Sequence, residues 1–223
     1  MRPVESAVIA AAGLGSRLGL GVPKCLLEVE GRTVLSRLVE AVEPRVSRVH
    51  VVVGYREDLI IDFCARNHPR VVLVRNPSYR TTNTAHSFAL GARALTGKCV
   101  FLDGDLLAVP ESLGRFLEEA AAVDLLIGLT EAKSENAVYV ECDGEPTARG
   151  GCVVKGFTRE RRGATEWANV VAGPSRLLDG APGYVFERLE EHLPARGAEI
   201  ELCEIDTGSD YESAKGFVRS RHL

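Results

Sequence analysis

The chain has 223 residues, 45% hydrophobic and 26% charged, a composition typical of a globular protein that buries a core without disulfides or a structural metal. Its formal net charge of −4 argues against a broad nucleic-acid or membrane surface and leaves only local basic pockets. The six cysteines are scattered and form no CxxC pair. The sequence also shows no secretory signal and no membrane-length apolar run. These features together predict reduced thiols in a cytoplasmic protein.

The first half of the chain alternates short apolar runs with segments whose apolar residues recur at helical spacing. Buried strands are predicted at residues 7–11, 49–54, 71–74 and 100–102. Helices are predicted at residues 35–42, 57–67, 84–95 and 110–121. Because this alternation is typical of parallel strands joined by helices, we expect an α/β fold with a doubly wound, mainly parallel sheet.

The pattern changes after residue 123, where β segments with turns between them replace the alternation. These segments are predicted at residues 125–129, 137–141, 152–157 and 167–171. A helix at 184–193, a strand at 200–205 and a helix at 210–219 follow. We therefore expect one domain, 1–223, in which residues 1–123 carry the parallel sheet and residues 124–223 a smaller antiparallel part.

A glycine-rich segment, AAGLGSRLGLGVPK at residues 11–24, follows the first predicted strand. Ligands bind at this edge of open α/β sheets, and glycines allow backbone N–H groups to surround phosphate oxygens. Arg17 and Lys24 add two cations. A dinucleotide-binding fingerprint fits poorly because Leu18 stands at its third glycine position, and a P-loop does not fit because no GK[ST] follows. A plain surface loop is the remaining alternative. The candidate phosphate-binding positions are Ala11, Ala12, Gly13, Gly15 and Ser16.

This segment resembles the signature loop of the sugar-phosphate and alditol-phosphate nucleotidyltransferases, which have a glycosyltransferase-A-like fold. The resemblance extends to VVVGY at residues 51–55, NTA at 83–85, DGD at 103–105 and EID at 204–206. The short length and the ending EIDTGSDYESA are similar to the small cytidylyltransferases for phosphocholine, inositol 1-phosphate or phosphonates, among them that of fosfomycin biosynthesis. The resemblance implies transfer of CMP from CTP to a small phosphate or phosphonate, with a nucleotide-binding first half and an acceptor-binding second half.

Three other functions stay open. A sugar-1-phosphate nucleotidyltransferase using UTP or GTP would usually have a longer chain. A non-catalytic nucleotide sensor is disfavoured because Arg17, Lys24, Asp105 and Asp206 are all present. A Rossmann oxidoreductase would bind NAD. A homodimer is the commonest assembly in general, and the chain could also be one domain of a longer bifunctional protein.

Two aspartates are the candidate metal ligands. Asp105 follows the fourth predicted strand, and Asp206 follows the last one. The resemblance implies that both hold Mg²⁺ and that Lys24 and Arg17 are catalytic. From the residues alone, either aspartate could instead cap a helix or turn. Asp103 is expected to point to the other side of its strand.

The candidate base pocket lies at the start of the third helix. Asn83 and Thr84 resemble the segment that contacts the pyrimidine in uridylyltransferases of this fold, and backbone groups near residues 11–13 could bind the cytosine amine. Capping of the helix by Asn83 is the alternative, and both roles are compatible.

The acceptor carries a phosphate or phosphonate, so the second half of the chain is expected to supply cations. Lys133 stands where the small cytidylyltransferases tend to have a lysine, and Lys155 follows on a later strand, although either could be a solvated surface residue. Asn169 matches a strand that lines the acceptor site in the family. The single tryptophan, Trp167, could contact the acceptor or belong to the core. Residues 159–162 (RERR) are expected to form a solvated loop, with closure over the active site as the alternative.

Overall fold

A nine-stranded sheet forms the centre of the computed structural model, which describes residues 3–15, 21–133, 137–144, 151–180 and 183–223. The strands are β1 (Val4–Ala11), β2 (Glu28–Val29), β3 (Arg32–Thr33), β4 (Arg48–Val53), β5 (Val72–Arg75), β6 (Lys98–Asp103), β7 (Leu106–Ala108), β8 (Leu126–Glu131), β9 (Tyr139–Asp143), β10 (Cys152–Thr158), β11 (Thr165–Pro174), β12 (Ala195–Glu199) and β13 (Leu202–Glu204). The helices are α1 (Val34–Val42), α2 (Glu57–Asn67), α3 (Thr84–Ala92), α4 (Pro110–Ala120), α5 (Val185–Glu190) and α6 (Gly208–Arg221).

The part of the sheet built from the first half of the chain is parallel. In the order β5-β4-β1-β6, each strand runs parallel to its neighbour. Helices cover both faces, which is why the central parts of these strands are apolar. On β1, Ile9 packs on the face covered by α1, α2, α4 and α6, and Val8 packs on the face covered by α3 and α5. The predicted doubly wound α/β fold is confirmed.

The rest of the sheet is mixed. β11 runs antiparallel to both β6 and β8, whereas β12 runs parallel to β8. β10 and β9 extend the sheet as antiparallel strands. The sequence did not predict β12, because its residues, ARGAE, have low strand propensity. The predicted antiparallel part of the second half is present, and it continues the same sheet.

The helix starts follow from local hydrogen bonds. The Asn83 side chain accepts the N–H of His86 at the start of α3, as predicted, and Thr207 caps α6. The helix predicted at 57–67 has the bounds of α2.

Within the ranges that the structure describes, every helix is too short or too polar to cross a membrane.

A two-stranded ribbon outside the main sheet joins distant parts of the chain. β7, which begins shortly after β6, pairs antiparallel with β13, and Leu106 lies opposite Glu204. The N–H of Ile205 donates to the carbonyl oxygen of Asp105 at 3.1 Å. The strand predicted at 200–205 is therefore shorter than expected and lies in this ribbon, which brings residue 105 close to residues 204–206.

Gly91 marks the closest approach of α3 to the sheet. A Cβ added there would lie 2.4 Å from Val8 Cγ1 and 2.7 Å from Val52 Cγ2. We expect Gly91→Ala to lower the free energy of unfolding by about 1–3 kcal/mol, because overpacking outweighs the gain in helix propensity. Urea denaturation followed by circular dichroism measures this change. In the control Gly216→Ala, on α6, the added Cβ meets nothing within 4 Å, and equal losses in both variants would contradict the packing argument.

Candidate active site

Two adjoining pockets open where β1 and β6 end. The small pocket, about 320 Å³, lies between the loop after β1, the start of α3 and the turn after β6. The large pocket, about 1040 Å³, is bounded by residues of β11, α5, β13 and α6. Asn83, Thr84 and Asp103 line both pockets, so two ligands bound in them would be neighbours.

The backbone of the loop after β1 forms one wall of the small pocket. Among the predicted phosphate-binding positions, those that line this pocket are Ala11, Ala12, Gly13 and Gly15. Ser16 and Arg17, the other predicted residues of this loop, lie outside the described residues. The loop therefore supplies backbone groups at the edge of the sheet, where the sequence predicted them.

Gly104 allows the turn after β6 to approach the end of β1. Its N–H donates to the carbonyl oxygen of Ala10 at 2.9 Å, and a Cβ at this position would lie 2.6 Å from the same oxygen. Any side chain at residue 104 would push the two segments apart. This contact holds Asp105 next to the glycine-rich loop.

Lys24 places a cation between the two pockets. It begins a single turn of 3-10 helix, Lys24–Leu26, and its Nζ donates to Asp105 Oδ2 at 3.1 Å and also contacts Asp206 Oδ1. Burial by itself lowers the pKa of Lys24, but the charges of Asp105 and Asp206 raise it above its ordinary value. Lys24 is therefore positively charged at neutral pH.

Three carboxylates converge beside Lys24. One oxygen each from Asp105, Glu204 and Asp206 lies within 4.8 Å of the other two. Burial raises the pKa of Asp105 although Lys24 opposes this shift. Burial, followed by the charges of Asp105 and Asp206, raises the pKa of Glu204 to about 8. Oxygen ligands at this density can hold a hard divalent cation, whose charge would favour the ionised carboxylates.

Glu204 is the member of this cluster that sequence reasoning missed. The signal was present, because residues 204 and 206 are two positions apart in an extended segment and so share a face. Asn169, a predicted acceptor residue, donates from Nδ2 to Glu204 Oε2 at 3.1 Å. Asn169 has a φ of 54°, a strained left-handed conformation, and lies where the pairing of β11 with β8 is interrupted. The residue in this strained conformation is the one that bonds Glu204.

Asp103 also belongs to this region, and the expectation that it points away is wrong. It lines both pockets, and its Oδ1 is buried without a hydrogen-bond partner among the described residues. Burial, followed by the charge of Asp105, raises the pKa of Asp103 well above its ordinary value. A neutral carboxyl group could donate a hydrogen bond to a ligand or to a neighbouring carboxylate.

The segment before α3 is held by Asn76. The Asn76 Nδ2 atom donates to Thr82 Oγ1 and to Ser87 Oγ, both at 3.1 Å, and Asn76 Oδ1 accepts the N–H of Ser78 at 3.0 Å. Asn76 is 1% exposed. These bonds fix the loop that carries Asn83 to the small pocket.

Asn83 uses both ends of its amide within the protein. Its Oδ1 caps α3, and its Nδ2 donates to the carbonyl oxygen of Gly183. Thr84, beside it, lines both pockets. The Asn83 side chain is therefore engaged within the protein, whereas the Thr84 side chain makes no hydrogen bond among the described residues.

Three of the four predicted acceptor residues line the large pocket: Lys133, Trp167 and Asn169. Lys133 Nζ pairs with Glu131 at 3.1 Å, and Trp167 is 7% exposed and packs into the core.

Lys155, the fourth predicted acceptor residue, does not line the large pocket. Alternation along β10 puts its side chain on the exposed face, where it pairs with Asp143. Residues 159–162 are exposed, as expected for a solvated loop, and Arg159 also lines the large pocket.

Two curated proteins, both longer than this chain, are similar to it in sequence. The chain is 28% identical over 210 residues to the bifunctional protein GlmU of Methanococcus vannielii, covering 89% of this chain and 46% of that protein. It is 34% identical over 125 residues to the CMP-5'-(3-aminopropyl)phosphonate synthase of Streptomyces rubellomurinus, covering 52% of this chain and 20% of that protein. The chain thus spans about half the length, or less, of these curated relatives.

Two solved structures share the fold. UDP-glucose pyrophosphorylase from Acinetobacter baumannii has a TM-score of 0.80 at 12% identity, covering 98% of this chain and 94% of that one. The CTP:phosphocholine cytidylyltransferase LicC from Streptococcus pneumoniae has a TM-score of 0.76 at 17% identity, covering 97% and 99%. The model of the MobA-like NTP transferase domain matches residues 7–197, which include most of the described sheet and the whole lining of the small pocket. The chain therefore belongs to the MobA-like NTP transferase domain family.

Proposed function

We propose that the chain is a cytidylyltransferase that transfers CMP from CTP to a small phosphonate or phosphate and releases pyrophosphate. The observation that carries the proposal is the contact of Lys24 with Asp105 and Asp206 at the junction of two unequal pockets. Joining a nucleotide to a second small molecule requires two adjacent binding sites, with charge stabilisation where they meet.

The small pocket suits the nucleotide. The loop after β1 offers backbone N–H groups for the triphosphate, and Thr84 offers a hydroxyl for the edge of the base. The cytidine nucleotides in the names of the Streptomyces relative and of LicC support CTP as the donor. Arg17, on the same loop, is proposed to bind the leaving phosphates.

The carboxylate cluster suits Mg²⁺. This ion prefers carboxylate oxygens and substrate phosphates, and the buried Asp105 Oδ1 has no hydrogen-bond partner among the described residues. Asp105, Asp206 and Glu204 would hold it, which adds Glu204 to the two ligands proposed from the sequence. When bound, Mg²⁺ neutralises phosphate charge.

The chemistry needs no protein nucleophile. An ionised oxygen of the acceptor's phosphonate or phosphate attacks the α-phosphorus in line. The new phosphorus–oxygen bond forms as the bond from the α-phosphorus to the pyrophosphate oxygen breaks, and pyrophosphate leaves. Lys24 stabilises the negative charge that builds on the α-phosphate, and the loop amides hold the leaving group.

The large pocket suits the acceptor. Lys133 and Trp167 line it, and Asn169 lines it next to the carboxylate cluster. A sugar-1-phosphate acceptor with UTP or GTP is the second candidate. The volume of the large pocket, about 1040 Å³, and the fold shared with UDP-glucose pyrophosphorylase favour it.

Pyrophosphate release with Mg²⁺ tests the proposal and separates the two candidates. We expect release with CTP and one of 2-hydroxyethylphosphonate, 2-aminoethylphosphonate, phosphocholine or inositol 1-phosphate, and little with UTP, GTP or ATP. Release with UTP or GTP and glucose 1-phosphate would favour the sugar candidate. No release with any of these acceptors, or with the carboxylate-bearing acceptor 3-phosphonopropanoate, would contradict both candidates.

A further inference from the structure

Arg159 is held over an aromatic surface in the wall of the large pocket. Its guanidinium carbon lies 5.0 Å from the ring centroid of Tyr184 and 4.9 Å from that of Phe186. The two rings are stacked, with centroids 5.8 Å apart and planes within 11°. All three residues line the pocket. Aromatic faces accept no conventional hydrogen bonds, so a guanidinium placed over them keeps N–H groups that can bind a ligand.

The guanidinium of Arg159 has no anionic partner among the described residues. Lys133, the other basic residue known to line the large pocket, is paired with Glu131 at 3.1 Å. Arg161, two residues further along the chain, is paired with Glu141 at 3.0 Å. Arg159 is therefore a positioned cation whose hydrogen-bond donors are available to a ligand in the pocket.

The same arrangement disfavours a quaternary ammonium group. Such a group binds against aromatic faces, but here Arg159 covers one face of the Tyr184–Phe186 pair with a like charge. Of the other aromatic residues in the pocket lining, Trp167 exposes only 7% of its surface, and Phe217 packs against the core. The aromatic surface in this pocket is thus suited to hold an arginine.

We propose that the acceptor carries a second anionic group, such as a carboxylate, at the end remote from its phosphorus, and that Arg159 binds that group. This inference rests on the proposed function. A guanidinium binds a carboxylate with two parallel charge-assisted hydrogen bonds. The acceptor's phosphorus group would lie near Lys24 and the carboxylate cluster, so the second anion would be recognised separately, by Arg159.

Three acceptors of similar size test this inference: 3-phosphonopropanoate, propylphosphonate and 3-aminopropylphosphonate, with CTP and Mg²⁺. We expect kcat/KM for 3-phosphonopropanoate to exceed that for propylphosphonate by at least about tenfold, the effect of one charged hydrogen-bonded pair. Arg159→Met should abolish this preference, and Arg159→Lys should weaken it. The control Arg161→Met, a neighbouring exposed arginine outside the described pocket lining, should retain it. A wild-type preference for the amine or the neutral acceptor would overturn the inference, as would an equal loss on all three acceptors in Arg159→Met.

Direct binding separates this inference from the proposed function. If no acceptor supports pyrophosphate release, the proposed function fails, and calorimetry with 3-phosphonopropanoate still tests Arg159. A Kd at least about tenfold weaker in Arg159→Met than in wild type and Arg161→Met would support the anion site. Equal affinities, or no binding to the wild-type protein, would overturn it.

Discussion

Lys24→Met is expected to lower kcat for pyrophosphate release at least about a hundredfold, the scale of losing one preorganised transition-state donor. Lys24 is the cation that contacts both Asp105 and Asp206. Methionine keeps most of the aliphatic stem, which lies near Gly15, and removes the charged amine together with its hydrogen-bond donors. Because the charge on the α-phosphate grows in the transition state, the loss should appear mainly in kcat, with a smaller change in KM for CTP.

The measurement is steady-state pyrophosphate release over a range of CTP concentrations, with Lys215→Met as the control. Lys215 lies on α6, where it pairs with Glu212 and belongs to the lining of neither pocket, so this variant should retain wild-type kinetics. Near-normal kcat in Lys24→Met would contradict the role proposed for Lys24. A change in KM for CTP alone would indicate that Lys24 binds the nucleotide but does not specifically stabilise the transition state.

Local sequence patterns predicted the features of this protein that are set by residues close together in the sequence. The strand preceding the glycine-rich loop, the cap at Asn83 and the bounds of α2 all follow from such patterns. The edge of a parallel sheet is where such loops meet, so the positions of Lys24 and Asp105 could be expected from the sequence.

Pairings between distant segments were not accessible to the same reasoning. Glu204 joins Asp105 only because β13 pairs with β7, and strand register cannot be read from one sequence. Both Lys133 and Lys155 were candidate acceptor residues in the sequence, but strand alternation turns Lys155 to the exposed face. Arg159 faces the pocket because it stacks on Tyr184 and Phe186, contacts made across a long stretch of chain.

The carboxylate cluster is expected to favour activity at the expense of stability. Three carboxylates share a small volume with one lysine, and burial disfavours the charge on Asp105. Asp105→Asn should therefore raise the unfolding midpoint in EDTA, because it removes one of the repelling charges. The same change should lower kcat at least about a thousandfold, since losing a metal ligand removes several kcal/mol of charge stabilisation at about 1.4 kcal/mol per tenfold.

Thermal unfolding with and without Mg²⁺ separates these two effects. Binding of Mg²⁺ to the folded state should raise the midpoint of the wild-type protein and of Asp62→Asn, an exposed variant on α2. In Asp105→Asn, and in Glu204→Gln, this increase should be much smaller, because each loses one oxygen ligand. An unchanged increase in Glu204→Gln together with a lost increase in Asp105→Asn would restrict the ligands to the two aspartates. An unchanged increase in both would move the metal site away from the ribbon of β7 and β13.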